Sequence, residues 1–194
     1  MIQTNVKDAD QPGVAAGGLV GRDARSLWRP QQNADTLGGL TLMKYFTRQR
    51  FRAIQGDSRV AERDWKKAST SYARHIREVR SQLPASARAV SALTFHDGIV
   101  RALDRQSRNR IRLTVDATNN PWGPRGTFNI DFIDVITCLA RGPVVGDWWL
   151  YEEFHLAPAG LALHVLLHRS SLVISASDVT LTELKTPGRR SRPR

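Results

Sequence analysis

D-W-W-L-Y-E-E-F-H-L-A-P-A-G-L-A-L-H-V-L-L-H-R, residues 147–169, reads as two strands joined by a tight connection at 157–160. Pro158 and Gly160 interrupt any helix through the middle, and apolar residues alternate on either side of them. Setting Leu156 opposite Leu161 fixes the register, because each one-residue slip would turn every side chain to the other face. Phe154 then opposes Leu163, Glu152 opposes Val165 and Leu150 opposes Leu167 on one face. On the other face Glu153 opposes His164 and Trp149 opposes His168. Glu152 therefore sits in an apolar row, where a carboxylate needs an arginine or backbone donors, or has its pKa raised. Glu153 with His164 reads as a plain cross-strand pair.

Working outward, the same period of two recurs on both sides. Ser170 and Ser171 mark a turn before a strand at 172–176, and 179–184 adds a short one. Upstream, Ile111, Leu113 and Val115 alternate with Arg110, Arg112, Thr114 and Asp116, and 98–104 can pair with them around a tip at 105–109. Phe128, Ile130 and Phe132 follow a Pro- and Gly-containing loop at 118–126 and predict a third strand extended as far as Leu139. Before His96 the period is helical. Ala61, Trp65, Ala68, Tyr72, Ile76, Val79 and Leu83 recur at steps of three and four, capped by Ser58 and stopped by Pro84. Thr47 caps a shorter helix through Gln55, and 85–93 predicts another that packs through Ala89, Val90 and Leu93. Helices first and strands afterwards predict an α+β fold: N-terminal helices, one long and amphipathic, on an antiparallel sheet or open barrel of five to six strands.

The flanks differ from this core. Residues 1–42 are rich in Gly, Gln, Asn and Asp, carry no net charge and show no period, so they predict a disordered leader. Met43 opens the first patterned segment, and the expectation is that it is the natural start. Residues 185–194 carry +5 and predict a basic tail, leaving 43–184 as a single α+β domain. The formal charge of +11 is concentrated, with +11 in residues 43–112 and −5 in residues 113–184. No apolar run reaches the length of a membrane helix, and Asp8 and Asp10 stand where a secretory signal would be basic. With one cysteine, Cys138, among apolar neighbours, the residues predict a cytoplasmic protein without disulfides and a thiol that belongs to the core.

Chemistry-bearing patterns are few. No phosphate-binding glycine loop, nucleophile elbow or His-Glu-x-x-His spacing occurs, so no cofactor and no metal are expected. The candidates for catalysis are Glu152 with His96 and Asp97, the last two at the junction between helices and strands. Each has a structural reading beside it: Glu152 as a buried ion pair, and His96 and Asp97 as a capped turn in which Gly98 takes a positive φ. Trp148 and Trp149 are adjacent in a strand, so one ring faces the core and the other can anchor a protein partner. Lys66, Lys67, Arg74 and Arg77 on the free helix face, with Arg105 and Arg108 at a hairpin tip, could contact a polyanion. Solvated helix surface explains the same charge, since no recognition-helix signature or row of stacking aromatics accompanies it.

Three segments carry a resemblance: M-K-Y-F-T at 43–47, F-H-D-G at 95–98 and W-L-Y-E-E at 149–153. Together with the order of helices and hairpins, they resemble a group of uncharacterised bacterial proteins of the domain-of-unknown-function type, over about residues 43–184. Phe95 stands where leucine is expected, a mild departure. The layout is also similar to small immunity-type and accessory proteins, which act by binding. That resemblance implies a non-catalytic protein-binding factor; the basic 58–112 surface and arginine tail give nucleic-acid binding as the alternative, and Glu152 with His96 and Asp97 give a hydrolase or metal-dependent enzyme as a third reading.

Overall fold

The computed structural model describes residues 43–184, and the expectations about the leader and the tail lie outside the described residues. Met43–Thr47 forms a bent strap ahead of helix α1 (Arg48–Ile54), whose N-terminus is capped by the Thr47 hydroxyl accepting from Arg50 N–H. Ser58 does the same for Ala61 N–H at the head of α2 (Arg59–Val79), which runs for 21 residues. Its apolar stripe is inward as the period requires: Ala68 and Val79 are buried, and Trp65, Tyr72 and Ile76 are half-buried. A 3-10 turn at Arg80–Gln82 ends it, Pro84 follows, and α3 (Ala85–Val90) begins. This last helix is shorter than expected. It packs through Ala87 and Val90, one turn apart, while Ala89 points to solvent.

Among the described residues eight strands follow, more than the five to six expected, all antiparallel: β1 (Ile99–Ser107), β2 (Arg110–Asp116), β3 (Thr127–Ile133), β4 (Thr137–Arg141), β5 (Trp149–Ala157), β6 (Gly160–Leu167), β7 (Ser171–Ala176) and β8 (Asp178–Leu184). They divide into two four-stranded sheets, β1-β2-β3-β8 and β4-β7-β6-β5. One of the additional strands comes from the stretch read as one run to Leu139. After Ile133 the chain turns at Asp134, which takes φ +50°, and β4 enters the other sheet beside β7. At the first hairpin the strands continue to Ser107 and Arg110, leaving Arg108 and Asn109 as the turn.

Between the sheets lies one core, with Leu113, Ile130, Phe132, Trp149, Phe154, Leu163, Leu167 and Ile174 almost wholly enclosed. Leu83, Ala87 and Val90 close one end of it. Cys138 is half-buried against this core, and burial pushes its thiol up to about 11, as an unreactive cysteine requires. Helix α2 covers the outer face of β5, where a second cluster forms from Met43, Tyr45, Phe46, Leu150 and Leu166, with Trp65, Tyr72 and Tyr151 against it. The expected fold class is therefore present, and β6 is buried on both faces.

Backbone bonds join the two sheets where β1 meets the start of β5, Val100 N–H donating to Asp147 O at 3.0 Å and Trp149 N–H to Gly98 O at 2.7 Å; at the crossing from β7 to β8, Ser177 N–H donates to Ile133 O at 3.0 Å. No helix among the described residues is long and apolar enough to cross a membrane.

Candidate functional site

The three segments singled out in the sequence meet on β5. Its pairing with β6 places Leu156 on Leu161, Phe154 on Leu163, Glu152 on Val165 and Glu153 on His164, as the sequence predicts. The predicted pairs end there. A bulge between Trp149 and Tyr151 puts Trp149, not Leu150, opposite Leu167, and frees Leu150 for the outer cluster. The bulge turns Trp149 into the core at 1% exposure, so of the two tryptophans expected at a partner contact only Trp148, 55% exposed, reaches the surface.

Facing the core, Glu152 Oε2 accepts from Trp149 Nε1 at 2.5 Å. The Thr94 side chain and the Phe95 backbone also bond it, yet desolvation outweighs these three and pushes the carboxyl up to about 7. Among the described residues no arginine answers it; the neutral donors of the F-H-D-G approach do. His96 lies outside the same bend. Its Nδ1–H donates to Leu150 O at 2.5 Å, its Nε2 stands 3.6 Å from Asp97 Oδ1, and the Trp122 indole covers its ring at 4.4 Å between centroids. Asp97 N–H donates to Trp149 O at 2.9 Å, and Asp97 itself, not Gly98, takes the left-handed φ of +60°. Gly98 is needed for a different reason: a Cβ there would stand 2.7 Å from Phe95 O and 2.9 Å from Val115 Cγ1. Glu152 and His96 thus spend their hydrogen bonds on different partners, and each anchors the 94–98 bend to β5.

Glu153, read as half of a simple pair, is the most heavily bonded side chain of the hairpin. It is wholly buried on the outer face, where Oε1 accepts from Tyr45 N–H and Phe46 N–H, both at 2.7 Å, and Oε2 from Lys44 N–H at 2.8 Å. His155 Nε2 lies 3.0 Å from Oε2. These donors hold the carboxyl below the usual range although burial pushes the other way. The M-K-Y-F strap is therefore clasped by the second glutamate of W-L-Y-E-E. Sequence spacing gives no sign of this, because the partners are more than 100 residues apart.

Around the clasp stands a set of imidazoles. His164 is 5% exposed, and neither ring nitrogen has a hydrogen-bond partner among the described residues. Burial lowers its pKa to about 4, so the ring is neutral. His155 lies between it and His75, tilted to both rings at centroid distances of 4.7 and 4.9 Å, and His75 Nε2 donates to Phe154 O at 3.1 Å. Ligand-type atoms of Glu153, His155 and His164 all lie within 4.8 Å of one another, so a metal-capable group exists where none was expected. Glu153 and His155 are two apart on β5, hence on one face, and His164 is directly across from Glu153; that alternation is the signal that could have found the group.

The basic residues are exposed: Lys66, Lys67, Arg74 and Arg77 on α2, and Arg105 on β1 and Arg108 in the turn after it, both on the β1–β2 hairpin of the β1-β2-β3-β8 sheet. The structure thus places them on two separate elements.

No curated protein matches the chain. A family model described as protein of unknown function, DUF4085, matches residues 38–172, which include the strap, α2, the His96–Asp97 bend and the whole β5–β6 hairpin, and the chain belongs to that family.

Proposed function

We propose that this domain works by binding a partner protein, without catalysis, through the end of the sandwich where Trp122 and Trp148 emerge. The observation that carries the reading is the exposure of two indoles, 70% at Trp122 and 55% at Trp148, on loops tied to one short segment. Asn120 Nδ2 donates to Thr94 O at 2.6 Å and holds the first loop. The Val100 and Trp149 bonds to Asp147 O and Gly98 O hold the second, which also exposes Val145. Rings held out on a braced backbone lose little entropy when covered, which is why tryptophan recurs at the centre of protein contacts. Arg125 and Arg169 are exposed on the neighbouring loops, so the partner surface that fits is apolar at its centre and acidic at its rim.

Paired affinity purification from the native host tests this, with the wild-type chain and a Trp122→Ser, Trp148→Ser double variant as baits. The expected result is a stoichiometric acidic protein on the first bait whose affinity for the second falls at least about tenfold. Equal recovery on both baits overturns the reading. Nucleic-acid binding stands second, supported by the exposed row of Lys66, Lys67, Arg74 and Arg77 on α2. Gel retardation at low salt that fades as salt rises would favour it, with a steep log-log slope set by the phosphates contacted.

A further inference from the structure

We infer that Glu153, His155 and His164 form a binding site for one divalent transition-metal cation of the zinc class, seated between the strap and the outer face of β5 and β6. Two imidazoles and one carboxylate are a donor set that such ions take, with a fourth position left for a further ligand. The three are already gathered, with every ligand atom within 4.8 Å of the others and Glu153 Oε2 only 3.0 Å from His155 Nε2. Tetrahedral bonds of about 2.0–2.1 Å place ligand atoms about 3.4 Å apart, so a modest swing of a histidine ring closes the set.

His164 is the independent observation. A neutral imidazole carries one donor and one acceptor, and this ring has neither satisfied although it is 5% exposed. A cation on one nitrogen gives that lone pair its partner. The other members have room for the ion as well. Glu153 Oε2 now accepts from Lys44 N–H and faces His155; the ion replaces the second contact with an Oε2–metal–Nε2 bridge, and the ring proton of His155 moves to Nδ1. Oε1 keeps its bonds from Tyr45 and Phe46. The carboxylate is held ionised by its donors and the His164 ring is held neutral by burial, which are the protonation states that ligation needs. An ion here would join the strap to both strands of the hairpin, making the docking of residues 43–47 metal-dependent.

The test uses the full chain, stripped with a chelator and titrated with Zn2+ by calorimetry, followed by Co2+ and its visible absorption spectrum. The inference expects one equivalent bound, histidine-ligated absorption with Co2+, and a rise in thermal midpoint on loading. His155→Asn, at the more exposed edge of the site, is expected to weaken binding by more than about tenfold while remaining folded. His164→Leu is expected to abolish binding and, by removing the unsatisfied ring, to leave the metal-free fold at least as stable as wild type. Absence of stoichiometric binding by the wild-type chain overturns the inference. So does binding that persists in both variants, because the ion would then sit at His75, His96 or His168.

Discussion

Glu153 concentrates in one carboxylate what the sequence spreads over two distant segments. Three charge-assisted bonds from consecutive N–H groups are each worth about 1.5–3 kcal/mol, and leaving those donors buried without an acceptor adds to the loss. Glu153→Ala is expected to cost more than about 3 kcal/mol, read as a fall in the urea midpoint at unchanged slope. A loss below about 1 kcal/mol would mean that the strap is not held by this residue. Glu152 makes the opposite contribution. Its folded-state pKa of about 7 lies above the ordinary 4.5, so the stability it provides is complete below pH 4.5 and is lost as pH rises through about 7. His164, lowered from 6.5 to about 4, contributes stability that is complete above pH 6.5 and is lost as pH falls toward 4. In metal-free protein the two slopes oppose each other between about pH 4.5 and 6.5. Glu152→Gln should therefore unmask stability that climbs with pH across this window, and His164→Leu stability that declines; denaturant titrations at four or five pH values check both signs. Identical profiles in wild type and variants would refute the assignment.

At the scale of elements, the local devices were legible because they act within a few residues. The Thr47 and Ser58 caps, the three-four stripe of α2 and the Leu156–Leu161 turn register all appear where the sequence puts them. Ser58→Ala is expected to lower stability by about 1 kcal/mol, the usual worth of an N-cap. Gly98→Ala is expected to cost several times more, since its Cβ would stand 2.7 Å from a backbone oxygen that cannot yield cheaply. Thermal midpoints of the two variants, measured together, should rank in that order. Where sequence reading missed, the cause was non-local. A strand run from Phe128 to Leu139 has a continuous apolar rhythm, and only the turn at Asp134, with Ser177 N–H and its hydroxyl bonding Ile133 O, divides it between two sheets. The bulge at Leu150 likewise follows from two demands on one strand, Trp149 inward to the sheet core and Leu150 outward to Phe46 and Tyr45.

At the scale of the whole molecule, the buried Asp147 side chain ties separate elements together. Asp147, 1% exposed, accepts from Trp148 N–H at 3.0 Å, Arg169 N–H at 2.9 Å and Ser170 Oγ at 2.7 Å, which binds the loop before β5 to the turn after β6. Arg48 reaches the same turn from α1, donating to Leu167 O at 2.7 Å and Ser170 O at 2.6 Å. The proposal that 43–184 is one domain predicts a single unfolding transition with coincident tryptophan fluorescence and far-ultraviolet circular dichroism. Asp147→Ala should shift both signals together by about 2–4 kcal/mol, because it strands three donors at a junction shared by helix and sheet. Separate transitions for the two probes would show that the sheets open independently.

The amino-acid sequence by itself determined the helical stripe, the β5–β6 register from Glu152 to Leu156 and the class of fold, because periodicity and turn chemistry are written in neighbouring residues. It also marked Glu152 as a carboxylate turned into apolar surroundings. Tertiary structure alone decided that the strands form two sheets, that Trp149 is core and Trp148 surface, and that Glu153 clasps the strap beside His155 and His164. Those outcomes depend on backbone donors brought from across the chain, and backbone donors are the same at every residue, so no side-chain pattern announces which of them a buried carboxylate will find.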